Sequence, residues 1–158
     1  MNQNFPKSER LRHKTLVDGL FREGKSLFEY PVRLVYRPLT QAQLDNAFNI
    51  SIPDRIAPLQ VMVTVPKKKR RHAVDRVRMR RRIREGWRLQ RRRLREAVEA
   101  HSEFRTLSVA LICAADTDVD SNRIHAKIGK LISRLISLLS IDSDSSPINP
   151  PINPTTEK

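Results

Sequence analysis

Apolar positions recur along this chain with two periods, and the periods predict its elements. "YPVRLVYRPL" alternates, with Val32, Leu34 and Tyr36 on one side and Arg33, Val35 and Arg37 on the other, as a half-buried strand does. "LQVMVTVP" is a second strand of β-branched residues stopped by Pro66, and "TLSVALICAA", the most apolar stretch, is a central strand. A further short strand is expected near Phe48–Ile52, inside the connection 38–60. Helical spacing appears three times. Behind a Ser8 cap, Leu11, Leu16, Leu20 and Phe21 share one face up to Gly24. Met79, Ile83 and Trp87 follow at i, i+4 and i+8, with Leu94 and Val98 on the same stripe, predicting a helix over about Ala73–His101. Behind Asp120 or Ser121, Ile124, Ile128, Leu131, Leu135 and Leu138 line a closing helix. The expected fold is α+β, a small mixed sheet of about four strands with three helices in the order α-β-β-β-α-β-α.

Residues 1–141 are read as one domain, and 142–158 as a disordered tail. That tail, "DSDSSPINPPINPTTEK", is polar and rich in Pro, Ser and Asn, so it has no means of building a core.

Charge changes the picture of the long helix. The formal net charge is +14, and Lys67–Arg95 holds sixteen basic residues against only Asp75 and Glu85. The remaining fifteen basic and fifteen acidic residues cancel. A neutral body with one basic band points to a polyanion held at a defined place, with nucleic acid as the first candidate. Arg outnumbers Lys in the helix, which suits phosphates and base edges, because a planar guanidinium offers paired donors and stacks on a base.

Other chemistries find little support. Cys113 is the single cysteine, so no disulfide framework or multi-cysteine zinc site can form, and it is read as a small core hydrophobe. No P-loop is present, and His13, His72, His101 and His125 show no metal-ligand spacing. Asp116, Asp118 and Asp120 lack the Gly and distal Glu of an EF-hand loop and are read as a solvated turn. No apolar run reaches the roughly 20 residues of a membrane span, nor the core of a signal peptide, so a cytoplasmic protein is expected.

The order of residues then narrows the partner. "VPKKKRRHAVDRVRMRRRIREGWR" resembles the signature of the bacterial ribonuclease P protein subunit, in which a strand ends in a basic turn and Arg-Asn-Arg opens a basic helix. Val65, Lys67 and Lys68 match the strand end, Ala73 and Val74 the approach, and Arg76 and Arg78 the two arginines. Arg80, Arg81, Ile83, Arg84 and Glu85 continue the match. "FPKSERL" is similar to the family's opening Phe-x-Lys-x-x-Arg-Leu, and "LFREGKS" to its Phe-x-x-Gly element. The likeness covers about residues 5–140. It departs at Val77, where the family has Asn, and at Val17, where many members have an aromatic.

The resemblance implies a ribonuclease P protein-like fold, of the ribosomal S5 domain 2-like type. It also implies that a catalytic RNA subunit, which binds most of the Mg²⁺, removes the 5′ leader of precursor tRNA. In that reading no catalytic residue lies in the protein. Lys67, Lys68, Arg76, Arg78, Arg80, Arg81 and Arg84 would bind ribonuclease P RNA, one protein per RNA. Val17, Phe21 and Tyr36 would line a cleft for the single-stranded leader of precursor tRNA, with no small-molecule substrate and no membrane partner. The residues alone leave other readings open: a ribosomal or general RNA-binding protein without an enzymatic role, and, behind it, a DNA-binding regulator.

Overall fold

The structure, a computed structural model, describes residues 9–47, 57–101 and 105–144. It comprises α1 (Lys14–Glu23), β1 (Lys25–Glu29), β2 (Val32–Leu39), α2 (Gln41–Ala47), β3 (Leu59–Thr64), α3 (Ala73–Ala100), β4 (Thr106–Cys113) and α4 (Ser121–Asp144). The strands form one mixed sheet in the order β1-β2-β4-β3. Both β1 with β2 and β2 with β4 are antiparallel, and β3 runs parallel to β4. The α+β class and four-stranded sheet agree with expectation. Among the described residues the element order is corrected to α-β-β-α-β-α-β-α, with four helices rather than three.

Two elements account for the difference. Strand β1, "KSLFE", is short and mostly exposed, with only Leu27 packed on the core, so its pattern carries too little apolar signal to announce a strand. Helix α2 occupies the start of the connection expected to be irregular, and it buries Leu44. The strand expected at Phe48–Ile52 and residues 145–158 lie outside the described residues, whereas the cap of α1 is corrected from Ser8 to His13, so that Leu11 precedes the helix while still packing in its core. Helix α4 continues to Asp144, past the boundary placed after residue 141.

Strand alternation distributes the core over both faces of the sheet. Val32, Leu34 and Tyr36 of β2 point to one face, beneath α3 and α4, together with Val61, Leu107, Val109 and Leu111. Val35 and Leu39 point to the other face, where α1 and α2 cover them with Leu16, Leu20 and Leu44. The stripe predicted for α3 is buried throughout: Met79, Ile83, Trp87 and Leu94 have no exposed surface and Val98 almost none. Helices α3 and α4 approach closely at Gly86, where a Cβ would stand 2.8 Å from His125 Cδ2 and 2.9 Å from Ile128 Cδ1. Among the described residues no helix is long and apolar enough to cross a membrane.

The N-terminal segment is tied across the far edge of the sheet. Arg10 bridges Val61 of β3, and Leu11 N–H donates to the Val61 carbonyl at 2.8 Å. Glu9 is buried against Arg91 of α3 at 3.1 Å, with Arg95 at 3.5 Å. Burial raises the Glu9 carboxyl above its ordinary value, outweighing the attraction of those two arginines. A raised folded pKa stabilises the fold below the ordinary carboxylate range, and that contribution is lost as pH rises through the folded value. Wild type is therefore expected to lose stability relative to Glu9→Gln, read from urea midpoints, between about pH 4 and about pH 7. A gain by wild type over the variant as pH rises would show that the ion pairs outweigh burial.

Candidate nucleic-acid interface

The basic band folds as a tight turn followed by the exposed side of α3. In the turn, the Pro66 carbonyl accepts from Lys69 N–H at 3.0 Å and from Arg70 N–H at 3.2 Å. Lys67, Lys68 and Lys69 face outward. Arg76 closes the turn onto the helix, its Nη1 donating to the Arg70 and Arg71 carbonyls at 3.0 and 2.8 Å. Arg70, nearly buried, pairs with Asp118 and lies 3.5 Å from Asp75. Arg78 pairs with the same two carboxylates, at 3.1 Å to Asp75 and 2.9 Å to Asp118. The first turns of a helix disfavour cations, because the backbone N–H groups already make that end positive. Asp75 and Asp118 supply the opposing charge.

Asp118 is therefore not merely part of a solvated turn. It receives two arginines 48 and 40 residues away in sequence. Nearby, Arg82 donates to the Val119 carbonyl at 2.7 Å. Among the described residues no group of three or more His, Cys, Asp or Glu is placed to hold a metal ion.

The residues expected to contact RNA fall into two sets. Arg76 and Arg78 are engaged within the protein. Lys67, Lys68, Arg81 and Arg84 are exposed, and Arg80 is half-buried. Burial, and then the neighbouring charges of Arg10 and Arg80, hold the Arg84 guanidinium below its ordinary pKa. Arg84 also lines a depression of about 210 Å³ with Arg10, Leu11, Arg12, Val61, Met62 and Val63. Converging cations with burial between them form a place where an anion relieves repulsion instead of merely adding attraction. Arg10 and Arg12 were not expected here from the sequence. Their position follows from the strap along β3, and its signal was the "SERL" end of the opening motif, with Arg12 next to it.

Val77 is 38% exposed and Val74 66% exposed, so the departure from the family's Asn is an apolar group at the surface, not a packed one. Both border an open depression with Arg78, Arg81 and Arg82.

The three cleft residues are not brought together. Phe21, on the outer side of α1, is 48% exposed, and Val17 is half-buried beside the α1 core. Tyr36 is corrected to a core residue. It is 4% exposed beneath α3 and α4, on the sheet face opposite α1, and its neighbour Val35 faces α1 instead.

The same architecture recurs in solved proteins. A Staphylococcus aureus RNase P protein mutant, described as having defective mRNA degradation activity, superposes with a TM-score of 0.56 at 16% identity, covering 82% of this chain and 89% of that one. The RNase P protein of Thermotoga maritima gives a TM-score of 0.52 at 20% identity, over 80% of this chain and 96% of that one. At such identities the likeness is one of fold. In sequence, the ribonuclease P protein component of Porphyromonas gingivalis is 30% identical over 129 residues, 82% of this chain and 84% of that protein. The model of the family described as Ribonuclease P matches residues 5–136, from the strapped N-terminal segment to the middle of α4. With the basic turn, the arginine helix and the sheet all inside that span, the chain belongs to the ribonuclease P protein family.

Proposed function

We propose that the chain is the cytoplasmic protein subunit of ribonuclease P, which binds a catalytic RNA subunit and precursor tRNA and so promotes endonucleolytic removal of the 5′ leader. The observation that carries this reading is the convergence of Arg10, Arg12 and Arg84 on one depression at β3, with Arg80 near Arg84. That surface is suited to phosphates, and exposed guanidinium groups neutralise them with release of counterions. Lys67, Lys68 and Arg81 extend the contact. Arg76 and Arg78 serve it from behind, by fixing the turn and the first helical turns.

The leader runs past the exposed side of α1, where Phe21 offers a ring face to an unpaired base and Val17 a smaller apolar contact. Stacking suits single strands, since every base has a π face. Tyr36, buried on the opposite face of the sheet, supports the core beneath α3 and α4 without touching the leader. The chemistry is assigned to Mg²⁺ held by the RNA subunit. On the protein, the Asp116–Asp120 turn does not fit such an ion, because Asp118 is occupied by Arg70 and Arg78.

Reconstitution with a bacterial ribonuclease P RNA tests the reading. The chain should restore cleavage of precursor tRNA at limiting Mg²⁺, one protein per RNA; tight RNA binding without any stimulation would instead identify a general RNA-binding protein. In the same assay Phe21→Ala is expected to reduce the preference for precursor over mature tRNA about 5- to 10-fold, the loss of one stacking contact. An unchanged preference would place the leader elsewhere.

A further inference from the structure

A second group of cations lies at the opposite edge of the sheet. Arg123, Lys127, Lys130 and Arg134 recur on α4 at intervals of four, three and four residues, so they form one stripe. The stripe lies along the β1–β2 hairpin and is separate from the α4 side that meets α3 through His125, Gly129 and Ser133. The only carboxylate it meets there is Glu29, among the described residues. Arg134 satisfies that carboxylate at 3.1 Å and also donates to the Phe28 carbonyl at 3.2 Å. Lys127 and Lys130 stand further off, at 3.9 and 4.0 Å, and the Lys130 side chain is 64% exposed. Surfaces that are merely solvated mix the two signs. This one carries more positive charge than its single acid can balance.

One exposed ring accompanies the stripe and a second lies on the other face of the same hairpin. Arg123 of α4 lies over the Tyr30 ring at 5.4 Å, and Arg33 lies over the Phe28 ring at 5.2 Å on the face turned away from α4. Both rings keep considerable exposure, 39% and 44%. A guanidinium stacked on a ring keeps its in-plane N–H groups directed outward, where a phosphate can accept from them. Exposed ring faces beside a line of cations suit a single strand, whose bases stack while its phosphates follow the charges.

We propose that the β1–β2 hairpin and the outer flank of α4 form a second RNA-binding surface, one that takes single-stranded RNA. It rests on the reading that the partner is RNA, yet uses none of the residues assigned to the first surface. β1 and β3 are opposite edges of a four-stranded sheet, so the two surfaces stand at least about 14 Å apart. One RNA contacting both must therefore pass around the domain.

The test is photocrosslinking of the full chain to a 4-thiouridine-substituted RNA of about 12 nucleotides, with crosslinked positions mapped by mass spectrometry. Crosslinks are expected at Tyr30 as well as on α1 or α3. In Lys127→Gln/Lys130→Gln the hairpin crosslinks should fall several-fold while the others persist. The log-log salt slope of binding should become shallower by about 1.4, at roughly 0.7 per lost phosphate contact on a single strand. Crosslinks confined to α1 and α3, or hairpin crosslinks indifferent to the double substitution, overturn the second surface alone. Absence of any crosslink overturns it together with the RNA reading.

Discussion

Replacing Arg80, Arg81 and Arg84 together by Gln is expected to weaken binding to the RNA subunit about 100-fold, taking each guanidinium contact at about 1 kcal/mol. The accompanying sign is electrostatic: the log-log dependence of affinity on salt should become shallower by about 2 to 2.7, at roughly 0.7 to 0.9 per phosphate contact. Fluorescence titration across a salt series reads both quantities. Arg76→Gln is the informative contrast. Its guanidinium is spent on the Arg70 and Arg71 carbonyls, so its loss should lower the unfolding midpoint and leave the salt slope nearly unchanged. If Arg76→Gln flattens the slope as strongly as one of the exposed arginines, the division between presenting and supporting residues is wrong.

Trp87→Ala is expected to cost about 3–5 kcal/mol of folding stability, measured by urea unfolding in the absence of RNA. The indole is wholly buried in the core that α3 shares with α4 and the sheet, and nothing nearby can collapse into its volume without moving a helix. Against a typical total of 5–15 kcal/mol, that loss is a large fraction of the fold's stability. Trp87→Phe should cost much less, because it keeps most of the ring volume and removes an indole N–H that has no acceptor among the described residues. A small effect from Trp87→Ala would mean that α3 is held mainly by its polar ties at Glu9, Asp118 and Val119.

Long elements with a sustained period were legible in the sequence. The stripe from Met79 to Val98 lies in the core as its spacing requires, and β4 and α4 follow their apolar patterns. What escaped was short or non-local. β1 has five residues at a sheet edge, and α2 only seven, too few for a period to emerge. Asp118 as the counter-charge to Arg70 and Arg78 depends on contacts across more than forty residues for one partner and forty for the other, which no local pattern encodes. Tyr36 shows a different failure. Family likeness brought an aromatic to the right strand, but side chains alternate, so a shift of a single position exchanges the α1 face for the core. The basic stripe of α4 was hidden by arithmetic, since its charge cancels when summed with acids distributed elsewhere on the chain.

The place of β4 in the sheet has a consequence for synthesis. It is the last of the described strands to be made, yet it lies between β2 and β3 and pairs with both. During translation the arginine helix is therefore complete before the strand that closes the core beneath it, by thirteen residues at the ends of α3 and β4, on the order of a second at ribosomal speed. For that interval the nascent chain offers its cations without a folded body. A chain that ended between residues 100 and 106 would be a basic peptide with its apolar stripe uncovered, a product to be met by chaperones and proteases before any RNA subunit finds it.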